Sequence, residues 1–234
     1  MPSFHDFRFL STDGKHNVFA RECTPDGEVR AVLQIAHGVA EHIYRYAPFM
    51  EFLAENGFVV VANDHLGHGK TAENEQELCF FAEKDGWNDV VSDMDTLHKL
   101  TAAKYPGVPY FLFGHSMGSF LTRTYIIDHP EGLKGVVISG TGQNPGAVIA
   151  AGKLMAKLEM IDNGPMYHSP TLDKLAFGSY NKKYDHVRTK LDWLTRDEAV
   201  VDAYIADPLC GAMATAGMFH DMMEGLQFIS DPRN

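Results

Sequence analysis

The sequence predicts an α/β fold, a doubly wound and mostly parallel sheet carrying a helical cap insertion. Two observations predict it. Short, nearly continuous apolar runs alternate four times with segments whose apolar residues recur at helical spacing, and from Gln143 onward the pattern turns purely helical. Such alternation implies parallel strands joined by right-handed crossovers, with helices on both faces of the sheet.

The chain opens on a predicted antiparallel hairpin, with Phe7–Leu10 and Asn17–Glu22 flanking the polar turn at Asp13-Gly14. Val29–Ala36 is apolar almost throughout, the signature of a strand buried on both faces, and it ends at His37-Gly38. Tyr46–Asn56 carries Phe49, Met50 and Leu53 at helical spacing and stops at Gly57, a good helix end. Phe58–Ala62 is a second buried strand and runs into Asn63-Asp64-His65-Leu66-Gly67-His68-Gly69. The helix predicted over Trp87–Lys104 gathers Val90, Val91, Met94, Leu97 and Leu100 on one face and is broken by Tyr105-Pro106-Gly107. Pro109–Phe113 is a short strand that leads directly into Gly114-His115-Ser116-Met117-Gly118. A helix over Met117–Asp128, closed by His129-Pro130, and a strand over Leu133–Ser139 complete the alternating part.

Beyond it, Ala147–Leu158 and Leu191–Ile205 read as helices separated by a loop-like stretch, and Met213–Phe228 reads as one more helix. The expected organisation is therefore an α/β core over 1–143, a helical cap over 144–207 and a return to the core over 208–234. The chain reaches Asn234 before another strand begins, so the last strands of such a sheet are expected to be missing and the sequence reads as truncated. No internal repeat or low-complexity segment interrupts this order.

A chain of 234 residues with 45% hydrophobic residues can bury one large core. Its formal charge of −11 argues against nucleic acid or an anionic membrane surface as a partner, since both would repel it. The N-terminus mixes Asp6, Arg8 and Asp13 among its apolar residues, and no run approaches the roughly 18 to 20 apolar residues of a membrane span. These features read as a soluble, cytoplasmic protein without stable membrane insertion. Cys23, Cys79 and Cys210 are odd in number and widely spaced, the pattern of free thiols and not of a disulfide framework or a zinc site. Nothing in the sequence sets the oligomeric state.

Gly114-His115-Ser116-Met117-Gly118 fits G-x-S-x-G and lies where that motif has to lie, between a predicted strand and a predicted helix. A serine there sits on a sharp, strained turn, and the flanking glycines leave room for neighbouring backbone. Ser116 is the candidate nucleophile. Acyl transfer also needs two N–H groups aimed at the developing oxyanion. Met117 N–H, at the positive end of the following helix, is one candidate, and Val39 N–H, in the open turn after His37-Gly38, is the other.

Together, His37-Gly38-Val39-Ala40-Glu41-His42, Asp64-His65-Leu66-Gly67-His68-Gly69 and Gly114-His115-Ser116-Met117-Gly118 resemble the monoacylglycerol lipase and lysophospholipase branch of the α/β-hydrolase superfamily, among the serine aminopeptidase S33-type hydrolases. The likeness extends weakly through Asp207-Pro208-Leu209-Cys210. It departs at Val39, where the pattern usually has a smaller residue, and at Ser119, where it usually has glycine or alanine. The resemblance implies Ser116 as nucleophile, Val39 and Met117 as oxyanion donors, and small-molecule acyl esters as substrates, with no cofactor and no metal. It implies that His37, Gly38, Glu41, His42 and His115 brace the site, and that His65 and His68 are loop residues and not metal ligands. Apolar residues of the cap, Leu154, Leu158, Met160 and Met166, are candidates to line an acyl pocket.

In this superfamily the acid and the histidine follow the serine on later loops. No residue after Ser139 fits either role. The loop Gly140-Thr141-Gly142-Gln143-Asn144 has no acid, Asp231 lies beside Pro232 in the tail, and His168, His186 and His220 sit in cap-like or helical sequence. The triad acid and histidine are therefore read as absent from this chain. Three functions stay open: an acyl-ester hydrolase working through Ser116, a peptidase or acyltransferase using the same nucleophile, and a catalytically impaired hydrolase-like chain or binding protein.

Overall fold

A computed structural model describes all 234 residues. Its centre is one six-stranded sheet in the order β1-β2-β4-β3-β5-β6. The strands are β1 (Ser3–Leu10), β2 (Asn17–Thr24), β3 (Ala31–Ala36), β4 (Phe58–Asn63), β5 (Tyr110–His115) and β6 (Leu133–Ser139). The pairs β4-β3, β3-β5 and β5-β6 are parallel, while β1 and β2 join antiparallel at one side. The helices are α1 (Ala47–Glu55), α2 (Gly86–Lys104), α3 (Met117–Asp128), α4 (Gly146–Asn163), α5 (Pro170–Phe177), α6 (Glu198–Ala206) and α7 (Ala216–Ile229). No helix is long and apolar enough to cross a membrane.

The period of two in β3 and β4 explains why they read as continuous apolar runs. On one face Leu33, Ile35, Val60 and Ala62 pack with Met50 and Ala54 of α1; on the other, Val32, Val59 and Val61 pack with Leu97 of α2. Each fully buried aliphatic side chain of this kind contributes roughly 1.5–3 kcal/mol. Gln34 is the polar exception and is satisfied inside the core. Its amide donates to the Met94 carbonyl at 2.9 Å, and its oxygen accepts from the Tyr110 hydroxyl at 2.6 Å.

β1 starts at Ser3, four residues before the apolar alternation suggested. Its first half is exposed and held by polar pairs: Ser3 Oγ lies 2.7 Å from Thr24 Oγ1, and Arg21 is paired with Asp6 at 2.6 Å. The stretch expected as a loop contains α5, which Ser169 caps by accepting the Leu172 N–H at 3.1 Å while Pro170 opens its first turn. The single helix expected over Leu191–Ile205 is broken before α6, because Asp197 turns its carboxylate onto the N–H groups of Ala199 and Val200 and starts a new helix.

At the far side of the sheet β6 pairs only with β5. Its Val136, Val137 and Ile138 remain 36%, 52% and 36% exposed, so this end of the sheet has an open edge and partly uncovered faces. α4 buries Ile149, Gly152 and Ala156 in the cluster that also holds Phe219 and Met223 of α7. Leu154 and Leu158, expected in an acyl pocket, therefore face outward at 59% and 52% exposure, and Met166 is 39% exposed; Met160 packs on the core.

Candidate active site

Only Ser116 separates the end of β5 from the start of α3, so the chain has to reverse direction at that residue. It does so at φ 52°, ψ −119°, a left-handed conformation that costs a non-glycine residue of order 1–3 kcal/mol. Three hydrogen bonds hold the turn. Ser116 N–H donates to the Ser139 carbonyl at 3.0 Å, and the Ser116 carbonyl accepts from Ser119 N–H at 2.9 Å and Ser119 Oγ at 2.5 Å. Ser119, where the resemblance suggested a glycine or alanine, thus pins the turn from inside α3.

The glycines are required by contact. A Cβ on Gly118 would penetrate the carbonyls of Ala36 and His37, and one on Gly114 would penetrate the Gly118 backbone and Thr122 Oγ1. β3, β5 and α3 can meet this closely only with hydrogen at both positions. Gly38 repeats the logic on the facing loop: a Cβ there would lie 3.2 Å from Ser116 Cβ and 2.8 Å from Glu41 Oε1. The backbone after β3 therefore closes directly against the serine. Val39 N–H has no acceptor within the chain, and Met117 occupies the first position of α3, whose N–H has no intrahelical partner.

The loop is braced from below by polar contacts. Glu41 Oε1 accepts Gly38 N–H at 2.6 Å and the Tyr46 hydroxyl at 2.8 Å, while its other oxygen pairs with Arg45. His37 Nδ1–H donates to the Gly38 carbonyl at 2.7 Å, and Nε2 accepts His65 N–H at 3.0 Å, which ties the loop after β4 to the loop after β3. The His37 ring centroid lies 4.1 Å from that of His65 and 5.3 Å from that of His68. Burial pushes His37 and His68 down to about 3 and His65 well below its ordinary value, so this cluster is a neutral packing unit at physiological pH. Asp64 joins the same structure, accepting Ile43 N–H and Lys70 N–H at 2.8 Å each, and burial raises it to about 6. His115 stands apart, half-buried over the end of β6 with Nδ1 3.4 Å from Ser139 Oγ.

Contacts from α6 and the segment after it close the outer side of the loop. His42 Nε2–H donates to Asp207 Oδ2 at 2.8 Å, the Tyr204 hydroxyl donates to the Ala40 carbonyl at 2.6 Å, and Gly211 N–H donates to the same carbonyl at 2.9 Å. Arg45 lies over the Tyr204 ring at 4.7 Å. Of these residues Ala40 and His42 belong to the motifs that sequence reasoning singled out for the site and Asp207 to the weaker likeness after the cap; Arg45, Tyr204 and Gly211 were missed, and Asp207-Pro208-Leu209 was the nearest signal to Tyr204 and Gly211.

Two groups bring three possible metal-ligating atoms within 4.8 Å of one another: His42, Asp207 and Cys210, and His220, Asp221 and Glu224. In the first, His42 and Asp207 already hydrogen-bond each other at 2.8 Å, and burial raises the Cys210 thiol to about 12. None of the twelve histidines hydrogen-bonds Ser116 Oγ. His168 is committed to the Met213 carbonyl at 2.6 Å, and His220 lies beside Asp221 on α7. Asp231 is paired with Arg233 in the tail at 2.6 Å.

Residues 27–234 match the model of a family described as serine aminopeptidase, S33. The chain belongs to that family. It is 30% identical over 191 residues to a monoacylglycerol lipase of Mycolicibacterium smegmatis, covering 80% of this chain and 58% of the relative. It is 28% identical over 202 residues to the monoglyceride lipase of Homo sapiens, covering 86% and 58%. A thermostable carboxyl esterase from Bacillus coagulans, solved with glycerol, superposes with a TM-score of 0.87 at 29% identity over 97% of this chain and 73% of that one. A lipase in an open form gives 0.81 at 26% identity, covering 98% and 74%. The fold is that of the α/β-hydrolases. The chain spans about 58% of the length of the Mycolicibacterium smegmatis and Homo sapiens lipases.

Proposed function

We propose that this chain provides the nucleophile and oxyanion site of a serine ester hydrolase acting on acyl esters of the monoacylglycerol or lysophospholipid class. The observation that carries the reading is the meeting of Ser116, on its strained turn, with the backbone of Gly38, whose added Cβ would lie 3.2 Å from that of the serine. The relatives it resembles, monoacylglycerol and monoglyceride lipases and a carboxyl esterase, support the substrate class.

In this reading Ser116 Oγ attacks the ester carbonyl carbon, and the carbonyl oxygen gains negative charge. Val39 N–H and Met117 N–H receive that charge, the latter aided by the α3 dipole. The tetrahedral intermediate expels the alcohol, which takes up a proton, and leaves the acyl group on Ser116; water then releases the acid. Residues 144–207 act as the cap of the site, and Glu41, His37 and His42 hold the loop that carries Val39.

Both steps need a general base, and no imidazole of the 234 residues reaches Ser116 Oγ. Loss of a triad histidine costs on the order of 10⁶ in turnover, so these 234 residues alone are expected to turn over esters feebly. The same observation favours a second reading, a hydrolase-like chain that binds without turnover. Prolonged incubation with a fluorophosphonate, followed by peptide mapping, separates them. The first reading expects one slow adduct, on Ser116, lost in Ser116→Ala. An adduct that persists in Ser116→Ala refutes the assignment, and a chain that takes no adduct supports the second reading.

A further inference from the structure

We propose that Tyr204 is a positioning residue for the loop that presents Val39 N–H; the inference rests on the reading of that N–H as an oxyanion donor. The loop is a short arch pinned at both ends. At the near end Gly38 N–H is held by Glu41 Oε1 at 2.6 Å. At the far end the Ala40 carbonyl accepts twice, from the Tyr204 hydroxyl at 2.6 Å and from Gly211 N–H at 2.9 Å. Between the pins lie the Gly38-Val39 peptide, which carries the Val39 N–H and whose carbonyl accepts His37 Nδ1–H at 2.7 Å, and the Val39-Ala40 peptide.

The far pin works against a conformational preference. Ala40 sits at φ 53°, a left-handed conformation that alanine avoids, and the two donors to its carbonyl help to hold it there. The tether crosses a long separation, from α6 to residue 40, and it is rigidly mounted. Tyr204 is 7% exposed, Arg45 covers its ring at 4.7 Å while pairing with Glu41 of the arch, and three residues further on Asp207 accepts His42 Nε2–H at 2.8 Å. The near and far pins are thus linked through Glu41, Arg45 and Tyr204. A shift of α6 is transmitted to the Ala40 carbonyl, and the Val39 N–H turns with it.

Tyr204→Phe deletes the hydroxyl and keeps the ring beneath Arg45; Tyr204→Ala removes both. Two readouts are taken on the 234-residue chain: hydrogen exchange of the loop amides Gly38 and Gly211, both of which donate hydrogen bonds that shape the arch, and the kinetics of fluorophosphonate adduct formation at Ser116. For Tyr204→Phe the loop amides should exchange about tenfold faster while β3 and α3 keep their protection. The maximal adduct rate should fall about tenfold, with the probe concentration at half-maximal rate unchanged; this is less than the roughly 10²–10³ for outright loss of an oxyanion donor. Tyr204→Ala should show both effects at least as strongly. Unchanged loop exchange in both variants overturns the proposal, and so does a loosened loop with an unchanged maximal rate. If the wild-type chain forms no adduct, the reading of Ser116 fails, while the exchange measurement still decides whether Tyr204 holds the arch.

Discussion

Asp221 on α7 offers a test of how the core tolerates charge. Its side chain is 13% exposed, Oδ2 is buried without a hydrogen-bond partner, and a Cβ on Gly86, at the start of α2, would lie 2.5 Å from that oxygen. Burial raises the carboxyl to about 7, and the negative charges of Glu224, Asp85 and Asp89 push it the same way; His220 Nδ1, 3.8 Å away, is the facing group that can carry positive charge. A carboxyl raised from 3.8 binds its proton more tightly in the folded state, so stability falls as pH rises from about 4 through 7 and levels off above. A rise from 3.8 to about 7 corresponds to about 4 kcal/mol, and the N-terminal dipole of α2 offsets up to about 1 kcal/mol of it. Asp221→Asn removes the ionisation and keeps the shape. Urea unfolding of both proteins at pH 4.5 and pH 8 should show the variant gaining about 2–3 kcal/mol relative to wild type between the two conditions, with unchanged m-values. The raised carboxyls of Asp64 and Asp93 are present in both proteins and cancel in the difference. A difference that stays flat from pH 4.5 to 8 refutes the reasoning.

Two further outcomes are expected. Gly118→Ala should destabilise the fold by at least about 3 kcal/mol and suppress Ser116 labelling, because the added methyl strikes β3 backbone that cannot move without breaking the parallel ladder; a loss below 1 kcal/mol in urea unfolding would contradict the contact. Val137→Lys, at a 52% exposed position of the open edge strand, should slow concentration-dependent association by light scattering and change stability by less than about 0.5 kcal/mol; unaltered association would mean that β6 is not the sticking surface.

The fold was legible wherever burial is two-sided or periodic. β3 and β4 lose nearly all polar residues because each is sandwiched between α1 and α2, and that depletion is visible without any partner being known. The features that escaped notice lie where burial is weak. The first half of β1 is exposed and paired through side-chain charges and hydroxyls, so it has no apolar alternation to read. α5 is a short helix with one buried residue, Leu172, and its signal was the Ser169-Pro170 start, which a search for apolar period passes over. The break before α6 came from Asp197, a capping residue set among residues that would otherwise continue a helix.

The candidate site divides the same way, for a steric reason. At Gly38, Gly114 and Gly118 a side chain would run into Glu41, Thr122 or neighbouring backbone, so the close approach of β3, β5 and α3 forces a single residue type at fixed spacing and leaves a mark in the sequence. The outer clamp imposes no such exclusion. The Ala40 carbonyl needs donors, and many side chains or a backbone N–H can donate; Tyr204 and Gly211 do so from 164 and 171 positions away, with no local pattern to give them away. The same asymmetry applies to a general base: the candidate nucleophile is marked by an elbow of five consecutive residues, whereas an imidazole can reach a serine from any loop that folds over it. Sequence motifs therefore locate the strained turn and the loop proposed to carry an oxyanion donor, and the groups that hold them in place have to be found by geometry.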